Sequence, residues 1–88
     1  MITTEQVNEI AAKIEAMGTD ETIVSALRQH YKPIHFTYCM DDDLPNNTPV
    51  IEHKDFNLYL IDGREHCLCL TNDYEVATGI VVAEIIPD

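Results

Sequence analysis

The front third of the chain shows two amphipathic helical patterns. Apolar residues recur at three- and four-residue spacing after Thr3, which predicts a first helix over residues 4–17. Thr3 and Gln6 have the spacing of a capping box at the start of this helix. Gly18 is suited to end it, and a second apolar stripe follows until Pro33 stops it. The two helices are therefore expected to form a tight hairpin.

The rest of the chain alternates apolar and polar residues with the period of β-strands. The first such segment is 35–40, and the predicted sheet is built on it. After a loop rich in prolines and turn formers, segments 56–61 and 66–71 predict a β-hairpin, and the β-branched run 80–86 predicts a last strand. Too few residues separate the last two strands for a parallel crossover, so neighbouring strands are expected to run antiparallel.

These elements predict an α+β fold in a single domain over residues 1–88, with an N-terminal helical hairpin packed on one face of a three- or four-stranded antiparallel sheet. The face expected beneath the helices carries Phe36, Tyr38, Met40, Phe56, Leu58, Leu60, Leu68 and Leu70. The second face is expected to carry His35, Thr37, Cys39, Asn57, Tyr59, Cys67, Cys69 and Thr71.

The predicted second face is the most distinctive feature of the pattern. It is too polar for a core layer and too poor in Lys and Glu for a simply solvated surface, so it is a candidate docking surface. The simpler interpretation is that threonine, tyrosine and cysteine merely suit an open antiparallel face. Asp41, Asp42 and Asp43 follow the first strand directly and are expected to form an acidic rim beside this face. The predicted binding surface comprises the second face and this rim.

The charge of the chain narrows the classes of partner. Its 88 residues include 16 acidic residues against 5 Lys and Arg, which gives a formal net charge of -11. Such a field repels phosphate backbones and anionic lipid headgroups, so nucleic acids and membranes are not expected as partners. A basic protein surface or a cation is favoured instead, and a protein with a basic surface is the predicted partner, although an acidic surface can also serve solubility alone. The chain shows no signal-peptide pattern and no spanning apolar run, so a cytoplasmic location is expected.

The three cysteines raise the question of a metal site. In a chain without an export signal they are expected to be reduced thiols. Cys67 and Cys69 are two residues apart on a predicted strand, with Cys39 as a third ligand if its strand is near and His35 as a fourth. A metal or iron-sulfur cluster site on the thiol-bearing face is therefore the alternative function. Because a flat strand splays its side chains, the prediction is nevertheless no metal and no cofactor.

Calcium binding and catalysis find less support in the sequence. Counted from Asp41, the acidic loop partly matches a calcium-binding loop, but Pro45 and Asn46 break the pattern. His66 and Cys67 are adjacent, yet neighbouring strand residues project from opposite faces and cannot form a catalytic dyad. The chain is therefore expected not to be an enzyme.

Three segments carry a resemblance to a known family. They are HFTYCMDDD at 35–43, FNLYL at 56–60 and HCLCLTND at 66–73. Together they resemble a family of small uncharacterised proteins encoded among nitrogen-fixation genes of diazotrophic bacteria, over most of the chain. The resemblance implies an accessory role around nitrogenase, its assembly or its electron supply. The resulting prediction is a small acidic accessory or protein-binding module without catalysis.

Overall fold

The helical hairpin lies on one face of a five-stranded sheet. The computed structural model describes residues 2–44, 46–63 and 69–86. The elements are α1 (Thr4–Met17), α2 (Glu21–His30), β1 (His35–Met40), β2 (Ile51–Glu52), β3 (Phe56–Asp62), β4 (Cys69–Thr71) and β5 (Gly79–Glu84), and a 3-10 turn at Asp41–Asp43 follows β1. The predicted α+β class and the N-terminal helical hairpin are confirmed.

Local side-chain contacts set the ends of both helices. The hydroxyl of Thr3 accepts a hydrogen bond from the Gln6 backbone N–H, while the Gln6 side chain accepts from the Thr3 backbone N–H, so the predicted capping box is present. Gly18 follows α1 with a φ of 96°, a backbone conformation that favours glycine. The Asp20 carboxylate then caps α2 by accepting from the Ile23 N–H at 3.2 Å.

The sheet is mixed, which corrects the predicted antiparallel topology. Its order is β1, β5, β3, β2, with β4 also pairing with β3. β5 runs antiparallel to β3 but parallel to β1. The prediction compared only strands that are adjacent in sequence, whereas the chain between β1 and β5 holds three other strands and is long enough to return in parallel.

Gly79 lets β1 and β5 approach closely at their amino ends. It pairs with His35, and a Cβ at position 79 would lie 2.8 Å from the His35 carbonyl oxygen and 3.0 Å from the His35 Cβ. A glycine here therefore fits the close approach of two backbones. Gly79 of β5 pairs with His35 of β1 on one side and with Ile61 of β3 on the other. Of these three neighbouring positions across the sheet, the middle one therefore carries no side chain on the second face.

The main core lies between the helices and the first face of the sheet. Its buried residues are Ile2, Val7, Ile10, Ile14, Ile23, Val24, Leu27, Tyr31, Phe36, Phe56, Leu58, Leu60, Ala77, Ile80 and Val82. Tyr38 packs against this cluster, and Met40 shares the face of Phe56 through their common partner Glu84. The strand residues predicted to face the helices are confirmed on β1 and β3.

The second face is largely buried, which corrects its prediction as an open polar docking surface. A second core cluster on this face contains Tyr59, Ile61, Val81 and Ala83, and Cys39, Leu44 and Leu70 pack against it. The face is more apolar than predicted because β5 contributes Val81 and Ala83 to its centre. Leu44, from the loop after β1, adds further cover.

The register of β4 reverses the predicted faces of its residues. Leu70 lies opposite Ile61 and therefore belongs to the second face, not to the face beneath the helices. Cys69 lies opposite Asp62, and Thr71 shares the same side of the sheet, so neither belongs to the second face as predicted. Period-two alternation separates two sets of residues but does not say which set faces the helices; pairing with β3 decides that.

No helix within residues 2–44, 46–63 and 69–86 is long and apolar enough to cross a membrane. The cytoplasmic location stays a prediction.

Candidate functional site

Asp41 fixes the acidic turn to the second face of the sheet. One of its carboxylate oxygens accepts hydrogen bonds from the Asn57 side-chain amide and the Tyr59 hydroxyl, each at 2.9 Å. Burial, and then the hydrogen bond to Asp41, raises the pKa of Tyr59. Because Tyr59 is only 4% exposed, its hydroxyl satisfies its hydrogen-bonding capacity inside the protein through this contact. Asp41 therefore has a structural role.

Asp42 and Asp43 present their carboxylates to solvent. Both are exposed, whereas Asp41 on one side of them is hydrogen-bonded to β3 and Leu44 on the other packs against the second core cluster. The turn is therefore held at both ends. The predicted acidic rim divides into one anchoring aspartate and two aspartates that can meet a partner.

Three of the predicted binding residues lie along β1, and we call His35, Thr37 and Cys39 the β1 strip. His35 and Thr37 are exposed and Cys39 is half-buried. Tyr59, predicted as an aromatic contact on the same face, is buried and cannot anchor a partner without a rearrangement, which corrects that prediction. The candidate surface is thereby reduced to the β1 strip and the two exposed aspartates that follow it.

The predicted arrangement of three thiols on one face is wrong. Cys39 pairs with Ala83 on the second face, whereas Cys69 lies opposite Asp62 on the other face. His66, Cys67 and Leu68, named in the predictions, lie outside the described residues. Within the described ranges, no group of three or more His, Cys, Asp and Glu residues is placed to hold a metal ion.

The environment of Cys39 disfavours its thiolate. Burial raises the pKa of the Cys39 thiol, and the carboxylates of Asp43 and Asp41 raise it further. The thiolate is the form that binds metals and attacks electrophiles. Asp41 and Asp43 follow Cys39 closely in the sequence, and their negative charges make its thiol less reactive by disfavouring the thiolate.

Carboxylates from several segments lie at the end of the sheet where β1 and β5 finish. The Tyr38 hydroxyl donates a hydrogen bond to the Glu84 carboxylate. This hydrogen bond, then burial, then the charges of Glu84, Glu21 and Asp20 raise the pKa of Tyr38 to about 12. Because β1 and β5 are parallel, the turn at Asp41–Asp43 lies at the same end of the sheet. We call the residues Asp20, Glu21, Asp41, Asp42, Asp43 and Glu84 the acidic end.

Alkaline pH is expected to destabilise the protein through its tyrosines. The pKa of Tyr38 is raised from 10.0 to about 12, and burial and then Glu9 raise that of Tyr31 to about 12 as well. A folded-state pKa above the unfolded value means that the protonated phenol stabilises the fold. This contribution is complete below pH 10 and is lost as the pH rises towards 12. The melting temperature should therefore fall across this window, and Tyr38→Phe should show a smaller fall; an equal fall would contradict the assignment.

A groove lies at the opposite end of β1, beside the end of α2. It has a volume of about 690 Å³, and Arg28, Lys32, His35 and Thr37 are among the residues that line it. Sequence reasoning did not find this site, because a cation near a helix end ordinarily indicates only a solvated surface position. The available signal was the four-residue spacing of Arg28 and Lys32, which would place two of only five Lys and Arg residues on one side of a helix that continued to Pro33. In the structure α2 ends at His30, and Lys32 lies in the turn that follows it.

The fold and the site define a small α+β domain with one sheet face beneath a helical hairpin, the other partly covered by Leu44, and several carboxylates at one end of the sheet. A family model matches residues 8–85, and the chain belongs to that family, which is described as a family of unknown function (DUF6129). Neither curated proteins nor solved structures give a match. The resemblance to proteins encoded among nitrogen-fixation genes stays a prediction.

Proposed function

We propose that this protein is a cytoplasmic accessory module without catalysis that binds a partner protein through its acidic end, in the nitrogen-fixation context that the resemblance implies. The single observation that carries the proposal is the fixed presentation of Asp42 and Asp43. Asp41 and Leu44 hold the turn on both sides of these two exposed carboxylates. A preorganised surface loses little conformational entropy when a partner binds.

The partner is expected to present a basic surface. A formal net charge of -11 attracts such a surface from a distance, and the acidic end supplies the local charge that orients the encounter. The β1 strip continues directly into the turn and adds a contact area without charged carboxylates or ammonium groups. This combination supports protein recognition in which charge governs association and the β1 strip contributes to residence time.

The state of the Cys39 thiol supports a role without nucleophilic catalysis. Its raised pKa keeps the thiol protonated, and His35 lies four residues away along the same strand, too far for direct proton transfer between their side chains.

The proposal is tested in two stages. An affinity pull-down from cells that express the whole nitrogen-fixation pathway identifies the partner, and association is then measured by surface plasmon resonance. Replacing both exposed aspartates, Asp42→Asn with Asp43→Asn, is expected to slow association by about threefold to tenfold. Asp41 is left unchanged because it anchors the turn.

A matched control carries the same change of net charge at the other end of the sheet. Glu5 and Glu75 are exposed, and Glu75 precedes β5 whereas the acidic end lies at the end of that strand. Glu5→Gln with Glu75→Gln should leave association within about twofold of the parent. Equal slowing by both double variants, or an affinity that ignores salt between about 50 and 500 mM, would show that the carboxylates serve only solubility.

A further inference from the structure

The groove beside the amino end of β1 has a charge opposite to that of the rest of the molecule. Acidic residues outnumber Lys and Arg by 16 to 5 in the chain, yet Arg28 and Lys32 both line this one groove. Among the described residues, no Asp or Glu is part of its lining. A cleft lined by one sign of charge concentrates ligands of the opposite sign, so the ligand that this groove favours is an anion.

Arg28 is held in place for anion binding by the edge of β1. Its Nε and Nη2 atoms donate to the Phe36 carbonyl oxygen at 3.2 Å and 2.9 Å. A guanidinium has more N–H groups than this contact uses, and they lie in the same plane. The contact therefore fixes the orientation of the fork while leaving donors for a carboxylate or phosphate, which the planar guanidinium matches in geometry.

The remainder of the groove offers an apolar wall and uncharged donors. Ile34, Phe36 and Ile61 contribute apolar surface to its lining. A volume of about 690 Å³ is in the range of small-molecule sites, which combine mostly apolar walls with a few placed polar groups.

We propose that this groove binds a small organic anion, with its phosphate or carboxylate group on Arg28 and Lys32 and its apolar body against Ile34 and Ile61. His35 and Thr37 border the site and can add hydrogen bonds to the anionic group. The groove shares His35 and Thr37 with the β1 strip, but Arg28 and Lys32 belong to the groove alone and Asp42 and Asp43 to the acidic end alone. The variants at Lys32 therefore test this site, and those at Asp42 and Asp43 test the proposed function, so the failure of either is recognised separately.

The site is tested by nuclear magnetic resonance with the isotopically labelled full chain. Phenyl phosphate and benzoate are titrated in separate arms, with inorganic phosphate and phenol as probes that carry only the anion or only the apolar body. At least one of the two organic anions should give saturable shifts at the backbone amides of Lys32, Thr37 and Thr78. Inorganic phosphate and phenol should each bind at least about tenfold more weakly than that anion.

Variants that remove one positive charge distinguish specific binding in the groove from diffuse electrostatic attraction of the anion to the protein. Lys32→Gln should weaken binding of the organic anion by about tenfold, since it removes a charged hydrogen-bond donor. Lys54→Gln removes the same charge from an exposed position outside the groove and should change binding by less than about twofold. Arg28→Lys keeps the charge but loses the planar fork, and it should weaken binding as well.

Three results would overturn the proposal. The first is the absence of saturable shifts with both organic anions. The second is equal weakening by Lys32→Gln and Lys54→Gln, which indicates diffuse electrostatic attraction. The third is equal affinity for inorganic phosphate and phenyl phosphate together with no binding of benzoate. This result would mean that the apolar wall of the groove contributes nothing to binding. The Lys32 side chain is exposed, so its variant remains informative if Arg28→Lys disturbs the edge of β1.

Discussion

Replacing Leu58 by alanine is expected to lower the free energy of unfolding by about 2 to 5 kcal/mol. Leu58 is fully buried, and its strand is flanked by Val82 of β5 on one side and Ile51 of β2 on the other. A side chain held in the middle of a sheet leaves a cavity that the paired strands cannot close by moving together. Urea unfolding followed by circular dichroism measures the change.

Leu44→Ala is the matched control for this core variant. Leu44 is half-buried on the second face, in the loop rather than in a paired strand, so its neighbours can relax around the deletion. Its loss should be smaller, at about 1 kcal/mol. If Leu58→Ala were no more destabilising than Leu44→Ala, the main core would not be the layer between the helices and the sheet.

Asp41→Ala is expected to lower the free energy of unfolding by about 2 to 3 kcal/mol, because it leaves two donors without their acceptor. Tyr59 is a buried residue and Asn57 is half-buried, so water does not fully replace the carboxylate. The same urea measurement on Asp42→Ala should give a change within about 0.5 kcal/mol, because the Asp42 side chain is exposed.

The comparison of the free energies of unfolding of Asp41→Ala and Asp42→Ala isolates the hydrogen bonds of Asp41. Both variants remove one carboxylate from the same turn, so the electrostatic change is nearly the same and only the hydrogen bonds differ. Equal stability of the two variants would mean that Asp41 does not anchor the turn. In that case the fixed presentation of Asp42 and Asp43, on which the proposed function rests, would lose its structural basis.

The helical part of the fold could be predicted from the sequence because its signals are local. The capping box at Thr3 and Gln6 and the glycine at position 18 fix the predicted limits of the first helix at 4–17, and the structure places α1 at Thr4–Met17. The faces of β1 and β3 were likewise readable. β1 alternates apolar and polar residues, and in β3 Phe56, Leu58 and Leu60 form one apolar set, although Tyr59 and Ile61 make its other face apolar as well.

The sheet topology depended on contacts between distant parts of the chain. β1 and β5 pair in parallel across three intervening strands, which no local pattern indicates. The face of Cys69 was predicted wrongly because a shift of one residue in the pairing of β4 moves every side chain to the other face. Period alone left that register open.

The candidate sites likewise include features that are visible locally in the sequence and features that depend on contacts between distant segments. A run of three aspartates after a strand is visible in the sequence, so the acidic turn was predicted. The anchoring role of Asp41 was not, because its partners Asn57 and Tyr59 lie on another strand. The groove was missed for the same reason, since its wall at Ile61 becomes a neighbour of Arg28 only when β3 joins the sheet beside β5.

The inner position of β5 has a consequence for how the protein is made. β5 lies between β1 and β3, although the ribosome produces it after both of them. Until residues 79–84 leave the exit tunnel, β1 lacks its pairing partner, and the apolar side chains of Phe36 and Leu58 lack the β5 side chains that flank them in the finished sheet. The nascent chain is therefore expected to form its sheet only after β5 has left the ribosome, and to do so in one cooperative step, because the contacts that define the sheet are long-range.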